Sequence, residues 1–254
     1  MIRLEKEANK IAVVFLDNPP LNILTLNMTQ HLIALFSKIE DDDEIRAVII
    51  TGAGDKAFCA GADIREFASV RDKVIEKKLK DENEALLKIE RLSKPVIAAM
   101  EGVALGGGCE IALACDIRII AENAKIGLPE IKLGVFPGSG GLYRLPKIVG
   151  MSHALEMMYT GNALTAKEAR DIGLVNHVTG PKQALAHAKV LAGKIAQQPK
   201  HALSAIKSGV RKCMEITQSE AIQYNLTLSD RVFKTSDCEE GITAFFEKRT
   251  PRFK

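Results

Sequence analysis

An α/β layer architecture followed by a helical C-terminal region is the fold class this sequence predicts. Short β-branched runs alternate with helically spaced stretches through the first half, and after residue 150 the β signal fades, giving way to helical patterning from Gln183 onward. The length of 254 residues allows one large domain or one domain with an appendage. We place a boundary near residue 200, dividing a core of residues 1–199 from a helical region of residues 200–254.

The elements follow in order. Ile11 to Leu16 (IAVVFL) and Ala47 to Thr51 (AVIIT) read as buried strands. Between them Met28 to Glu40 has helical spacing at His31, Leu32, Leu35, Phe36 and Ile39. Arg71 to Glu90 is densely charged and reads as a solvated helix face. Lys94 to Met100 is a third strand and Arg118 to Ala121 a fourth, separated by a glycine-rich turn and a short apolar helix, GGGCEIALACD. Pro199 and the Met214 to Thr217 region break the C-terminal helical pattern, and the tail EKRTPRFK is basic and aromatic. No repeat of fixed period and no low-complexity segment stands out.

Composition removes several classes. With 46% hydrophobic and 26% charged residues the chain is neither disordered, collagen-like nor a coiled coil. A net charge of +3, from 35 Lys plus Arg against 32 Asp plus Glu, is too mild to point to nucleic acid or a membrane surface. The five cysteines show neither CxxC nor Cys/His ligand spacing, which argues against a disulfide framework and a zinc site and for a reducing compartment. The N-terminus is charged from its third residue, and Ile11 to Leu16 is too short for a signal-peptide core. Pro95 to Cys115, the longest apolar region, is interrupted by Glu101, Glu110 and four glycines and does not read as a membrane span. A cytoplasmic protein without a membrane or metal is the expectation.

Three glycine-centred segments could carry chemistry. In IITGAGDKAFCAGAD (Ile49 to Asp63), Gly52-x-Gly54-x-x-Ala57 superficially matches a dinucleotide fingerprint, but no helical stripe follows it. The bland reading is a strand-to-loop turn; the functional one makes CAGAD a backbone donor to a ligand. In ALGGGCEIALACD (Ala104 to Asp116), consecutive glycines before an apolar helix leave bare N–H groups at the positive end of a helix dipole, a description that fits an oxyanion hole. Glu110 sits in the first turn of that helix. It either merely complements the dipole or is a carboxyl whose apolar setting raises its pKa toward that of a useful acid or base. In AKIGLPEIKLGVFPGSGGLYRL (Ala124 to Leu145), Glu130 is a second carboxyl in apolar context, and Gly138, Gly140 and Gly141 form another bare turn. Gly138-Ser139-Gly140 is not a nucleophile elbow, and the five histidines include no HExxH, so a serine or cysteine hydrolase is disfavoured. From residues alone, two donor turns and two glutamates suggest acid/base chemistry beside a carbonyl, with an enolate-like intermediate.

Together the segments DNPPLN, AFCAGAD, ALGGGCE, GLPEIKLGVFPGSGG, the RLP that follows and the terminal AFFEKR-x-P-R-F resemble the crotonase, or enoyl-CoA hydratase/isomerase, superfamily across nearly the whole chain. The resemblance implies a crotonase-like spiral of ββα units, with the C-terminal helices packing subunits into homotrimers, commonly paired as hexamers. It also implies an acyl-CoA thioester substrate, with coenzyme A as part of that substrate and no other cofactor. By motif position, the amides of Ala62 and Gly107 would form the oxyanion hole, Ala60 would meet the adenine, and Asp63 and Ile64 would belong to the same substrate loop. Glu110 and Glu130 take the positions of the two catalytic glutamates of the hydratases, Gly138 would lie against the reacting carbons, and Phe245 and Lys248 would approach the CoA nucleotide, across a subunit contact.

On that resemblance Glu110 would orient and deprotonate water and Glu130 would protonate Cα. Retention of both acids favours hydration over double-bond isomerisation, which needs one proton shuttle. Leu128 and Leu142-Tyr143 depart from the straight-chain pattern, and GLPEIKL with EKRTPRF is similar to branched-chain methylglutaconyl-CoA hydratases. A non-catalytic acyl-CoA or RNA binding protein on this scaffold is the remaining alternative. It is motivated by the basic tail and the Lys77-Lys78-x-Lys80 cluster, and disfavoured by the two acids in apolar positions.

Overall fold

The computed structural model describes residues 1–253. Among these residues ten strands form two sheets: β1 (Ile2–Glu7), β2 (Ile11–Leu16), β3 (Ala47–Gly52), β4 (Ala57–Cys59), β5 (Val96–Met100), β6 (Val103–Leu105), β7 (Ile117–Ala121), β8 (Lys125–Gly127), β9 (Leu164–Thr165) and β10 (His177–Thr179). The helices are α1 (Leu26–Glu40), α2 (Phe67–Val70), α3 (Lys80–Arg91), α4 (Gly107–Ala114), α5 (Gly141–Val149), α6 (Met151–Thr160), α7 (Ala166–Asp171), α8 (Ala184–Ala196), α9 (Lys200–Cys213), α10 (Gln218–Phe233) and α11 (Ser236–Phe246). One turn of π-helix, Ile75–Leu79, leads into α3.

The larger sheet has the order β1-β2-β3-β5-β7-β10 and the smaller one β4-β6-β8-β9. The strands β3, β5 and β7 lie side by side and parallel in the first sheet, while their immediate successors β4, β6 and β8 lie parallel in the second. Each such pair is followed by helical structure, so the chain repeats a ββα unit, as the resemblance implies. The four strands expected from sequence are β2, β3, β5 and β7, within two residues at every boundary.

Apart from the buried Arg118 of β7, those four strands read as apolar runs because both faces of the sheet are covered. Ala12, Val14, Leu16, Val48, Ile50, Val96, Ala98 and Met100 point into one buried cluster together with Leu32, Phe36 and Ile39 of α1 and Leu86 and Ile89 of α3. Their alternates Ile11, Val13, Ala47, Ile49, Ile97 and Ala99 point into a second cluster closed by Ala184, Ala188 and Ala192 of α8. Spacing of four along α8 puts small side chains on one stripe, which lets the helix lie close to the sheet.

The helix α4 rests on β4 with almost no separation. A Cβ added at Gly108 would stand 2.1 Å from the Cys59 carbonyl oxygen, so glycine there is required by the backbone approach. The α4 N-terminus is thereby pressed against the Cys59–Ala62 loop.

The segment Arg71 to Glu90 corrects the sequence reading. It is not uniformly solvated: Lys78 and Glu82 are buried, as are Ala85, Leu86 and Ile89 of the same helix. Glu82, Ala85, Leu86 and Ile89 have the i, i+3, i+4, i+7 spacing of one packed stripe, so the acid stands at the end of an apolar face.

Candidate active site

Two loops meet at the start of α4. The Leu24 N–H donates to the Gly61 carbonyl at 2.9 Å and the Asp63 N–H to the Leu24 carbonyl at 2.9 Å. Alternate amides of an extended segment point to opposite sides, so the Ala62 N–H between them faces away from Leu24. Gly107 lies on that other side: a Cβ built on it would be 3.7 Å from the Ala62 nitrogen. Gly107 is the first residue of α4, and its N–H has no intrahelical acceptor. Gly106 enters the helix at φ +53°, a conformation that suits glycine. The backbones that carry these two amides therefore meet at the positive end of a helix, where a developing oxyanion would be stabilised.

The motif DNPPLN supports this loop from behind. Asn22 is fully buried and its Nδ2 donates to the carbonyls of Ala53 and Ala57 at 2.9 and 2.7 Å. The Ala60 N–H donates to the Leu21 carbonyl at 3.0 Å.

Both glutamates stand beside the same helix start. Glu110, 3% exposed, accepts at Oε1 from the Ser139 and Gly141 N–H groups, each at 2.9 Å. Glu130 begins a 3₁₀ turn (Glu130–Leu133), and its Oε1 would lie 3.4 Å from a Cβ placed on Gly106. Burial raises the Glu110 pKa above the ordinary carboxylate value, partly opposed by those two amides and reinforced by the charge of Glu82. Burial also pushes Glu130 up, to about 7, with the Glu110 charge adding to the effect. The Glu130 Oε2 is buried without a hydrogen-bond partner, whereas one Glu110 oxygen holds two donors. With two amide donors on one oxygen Glu110 is the better placed of the two to carry charge, and Glu130, with an oxygen that no donor reaches, the better placed to hold a proton, one potential base and one potential acid.

A charged cluster that sequence reasoning did not find lies behind Glu110. Lys78 Nζ contacts both oxygens of Glu82 at 2.6 Å, and the Ser139 hydroxyl donates to Glu82 Oε2, also at 2.6 Å. The Ser139 carbonyl accepts from Arg144 at 3.1 Å, and Glu90 holds Arg144 by an ion pair at 2.5 Å. The one trace of it in the sequence is an acid heading an apolar helical stripe. Because Lys78 is buried against Glu82, it does not join Lys77 and Lys80 in an exposed basic cluster.

The remaining expected residues fall in three places. Gly138 lies on the loop that carries Ser139, with its carbonyl accepting from Asn83 Nδ2 at 3.0 Å. Asp63 caps the 3₁₀ turn Ile64–Glu66 and pairs with Arg65, which holds its carboxyl below the usual range, while Ile64 is exposed. Phe245 is 77% exposed and lines an apolar groove of about 510 Å³ with Pro199, Ile242, Phe246 and Phe253, apart from the glutamates, and Lys248 follows the end of α11 at φ +55°. Burial pushes the thiols of Cys59 and Cys115 up to about 11 and about 12, so neither is an ionised nucleophile near neutrality. The five cysteines are free, and among the described residues no group of three His, Cys, Asp or Glu side chains is arranged to hold a metal ion.

A family model for enoyl-CoA hydratase/isomerase matches residues 6–254. The chain is 41% identical to a short-chain-enoyl-CoA hydratase of Clostridium acetobutylicum, over 97% of this chain and 94% of that protein. It is 39% identical to a crotonyl-CoA hydratase of Syntrophomonas wolfei, over 99% and 97%. The crystal structure of an enoyl-CoA hydratase from Bacillus anthracis superposes with a TM-score of 0.96 at 36% identity, covering all of this chain and 98% of that one.

Proposed function

The chain belongs to the enoyl-CoA hydratase/isomerase family, and on that premise we propose that it adds water across the double bond of a short 2-trans-enoyl-CoA thioester to give the 3-hydroxyacyl-CoA. The observation that carries this reading is the unequal pair of carboxyls, Glu110 buried and Glu130 half-buried, beside the amides of Ala62 and Gly107. The thioester oxygen accepts from the Ala62 and Gly107 N–H groups. Ionised Glu110 takes a proton from water as the water oxygen bonds to Cβ. The π electrons move toward the thioester oxygen as an enolate held by the two amides, and neutral Glu130 delivers its proton to Cα. A proton returning from Glu110 to Glu130 through solvent restores the starting state. The reaction balances with water alone, and coenzyme A enters only as part of the substrate.

The assembly belongs to the same proposal. Ile206, Val210, Phe233, Phe245 and Phe246 of α9–α11 are more than half exposed in the single chain, an apolar surface that supports burial against further copies in a homotrimer or a pair of trimers. Phe245 and Lys248 would then approach the nucleotide of a neighbouring subunit's substrate. The free thiols support a cytoplasmic location, and among the described residues no helix is long and apolar enough to cross a membrane.

Short acyl chains are favoured over 3-methylglutaconyl-CoA because Lys78, the cation whose charge reaches both glutamates, is neutralised by Glu82 and is not free to hold a substrate carboxylate. Loss of enoyl-thioester absorbance should therefore give a higher kcat/KM for crotonyl-CoA than for 3-methylglutaconyl-CoA. The reverse order would reassign the substrate to the branched-chain class.

A further inference from the structure

The two amides that hold Glu110 lie on a loop that α3 grips from behind. Consecutive side chains of α3 reach it: Asn83 donates to the Gly138 carbonyl, and Glu82 accepts from the Ser139 hydroxyl. Ser139 is bonded on three sides, through its N–H to Glu110, its hydroxyl to Glu82 and its carbonyl to Arg144. Lys78 comes from the π-helical turn Ile75–Leu79, a wide turn of the kind that re-aims side chains at functional sites. A buried ion pair is weak support for stability, since well-packed apolar residues of similar volume often serve as well or better. The Lys78 and Glu82 side chains are only 11% and 7% exposed, one residue away from a reactive carboxyl.

We propose that Lys78, Glu82 and Ser139 form a positioning set that fixes the Glu110 carboxyl in place and sets the pH range in which it works as the base. The inference rests on the hydratase reading for the role of Glu110, but not for the electrostatics. The pair presents opposite charges to Glu110, Lys78 favouring its ionised form and Glu82 opposing it. With both present these effects offset one another; removal of either leaves the other uncompensated at short range in a poorly solvated site. The other titratable or charged groups around Glu110 are Glu130 from the 3₁₀ turn, Cys109 on α4, and Tyr143 and Arg144 on α5, with Cys59 of β4 facing Glu82; none of these is altered in the variants below.

As the base, Glu110 must be ionised, so kcat/KM falls as pH drops through its pKa. Lys78→Met leaves the Glu82 charge unopposed, and the acid limb should move up by about one pH unit, whereas Glu82→Gln should move it down by about as much. The double variant should return it close to the wild-type position. Ser139→Ala should lower kcat about tenfold with KM changed less than about twofold, because the donors to Glu110 lose their tether while the binding surface stays. If Lys78→Met does not fold, Glu82→Gln against the double variant reads the same displacement and return. Carboxyl 13C NMR, with Glu110 identified as the resonance lost in Glu110→Gln, follows the titration without turnover. Opposite shifts in the two single variants support the set; shifts in one direction, or none in folded variants, overturn it. A wild type that hydrates no enoyl-CoA, yet whose Glu110 resonance shifts in opposite directions, would keep the electrostatic pairing and remove only the hydratase reading.

Discussion

Glu110→Gln lowers kcat for crotonyl-CoA hydration by about 10²- to 10⁴-fold, and Glu130→Gln does the same, with KM changed far less. The substitution at 110 is close to isosteric, and a Gln carbonyl at the Oε1 position still accepts from the Ser139 and Gly141 amides, so the loop keeps its anchor. What disappears is the ability to take a proton from water. At 130 the carboxyl is held near neutrality by burial, with one oxygen lacking any donor, so a neutral amide is well tolerated there while the transferable proton is lost. Because both act in one addition as a unit, the double variant should lose little more than either single one. Steady-state kinetics with melting curves as a folding control checks this; turnover within a few-fold of wild type in both variants would refute the assignment.

Gly107→Pro tests the other half of the site. Position 107 is the first of α4, where proline is accommodated because that N–H has no intrahelical partner and its fixed φ suits the helix start. A Cβ at this position meets only Ala62 N and Leu24 Cδ2, at 3.7 and 3.8 Å, which are ordinary contacts. The variant therefore removes one oxyanion donor, replacing it with a methylene, and kcat should fall by at least about 10²- to 10³-fold. The melting temperature should stay near that of the wild type. A variant with wild-type kcat would show that this amide does not touch the developing charge.

The parts of the fold legible in the sequence are those where burial leaves a one-dimensional trace. The strands β2, β3 and β5 are covered on both faces and read as apolar runs, and β7 does so apart from the buried Arg118, whose guanidinium is bonded to the Leu174, Ala112 and Cys115 carbonyls. The strand β1, IRLEKE, is an edge strand with charged residues on its open side and gives no such run. The second sheet leaves no trace of this kind because β4, β6 and β8 are three residues each, too short for a period to register. Glu110 and Glu130 stand out as acids among apolar neighbours in glycine-rich segments. Lys78 and Glu82 do not, because a Lys and a Glu four residues apart amid further charges look the same whether they face water or each other in the interior. Beyond the apolar stripe that Glu82 heads, the contact with Ser139, 57 residues away along the chain, separates the two cases.

Hydration by this pair of carboxyls requires that the elements of water be divided between the two carbons of the double bond. Turnover of crotonyl-CoA in water labelled with both deuterium and oxygen-18, analysed by mass spectrometry at early times, reads that division in the product itself. The expected 3-hydroxyacyl-CoA carries solvent oxygen at Cβ and solvent hydrogen at Cα in equal amounts, with both incorporations suppressed together in Glu110→Gln. Solvent hydrogen entering the acyl chain with no solvent oxygen would mean that the carboxyls only shuttle a proton, and the hydratase mechanism would fall.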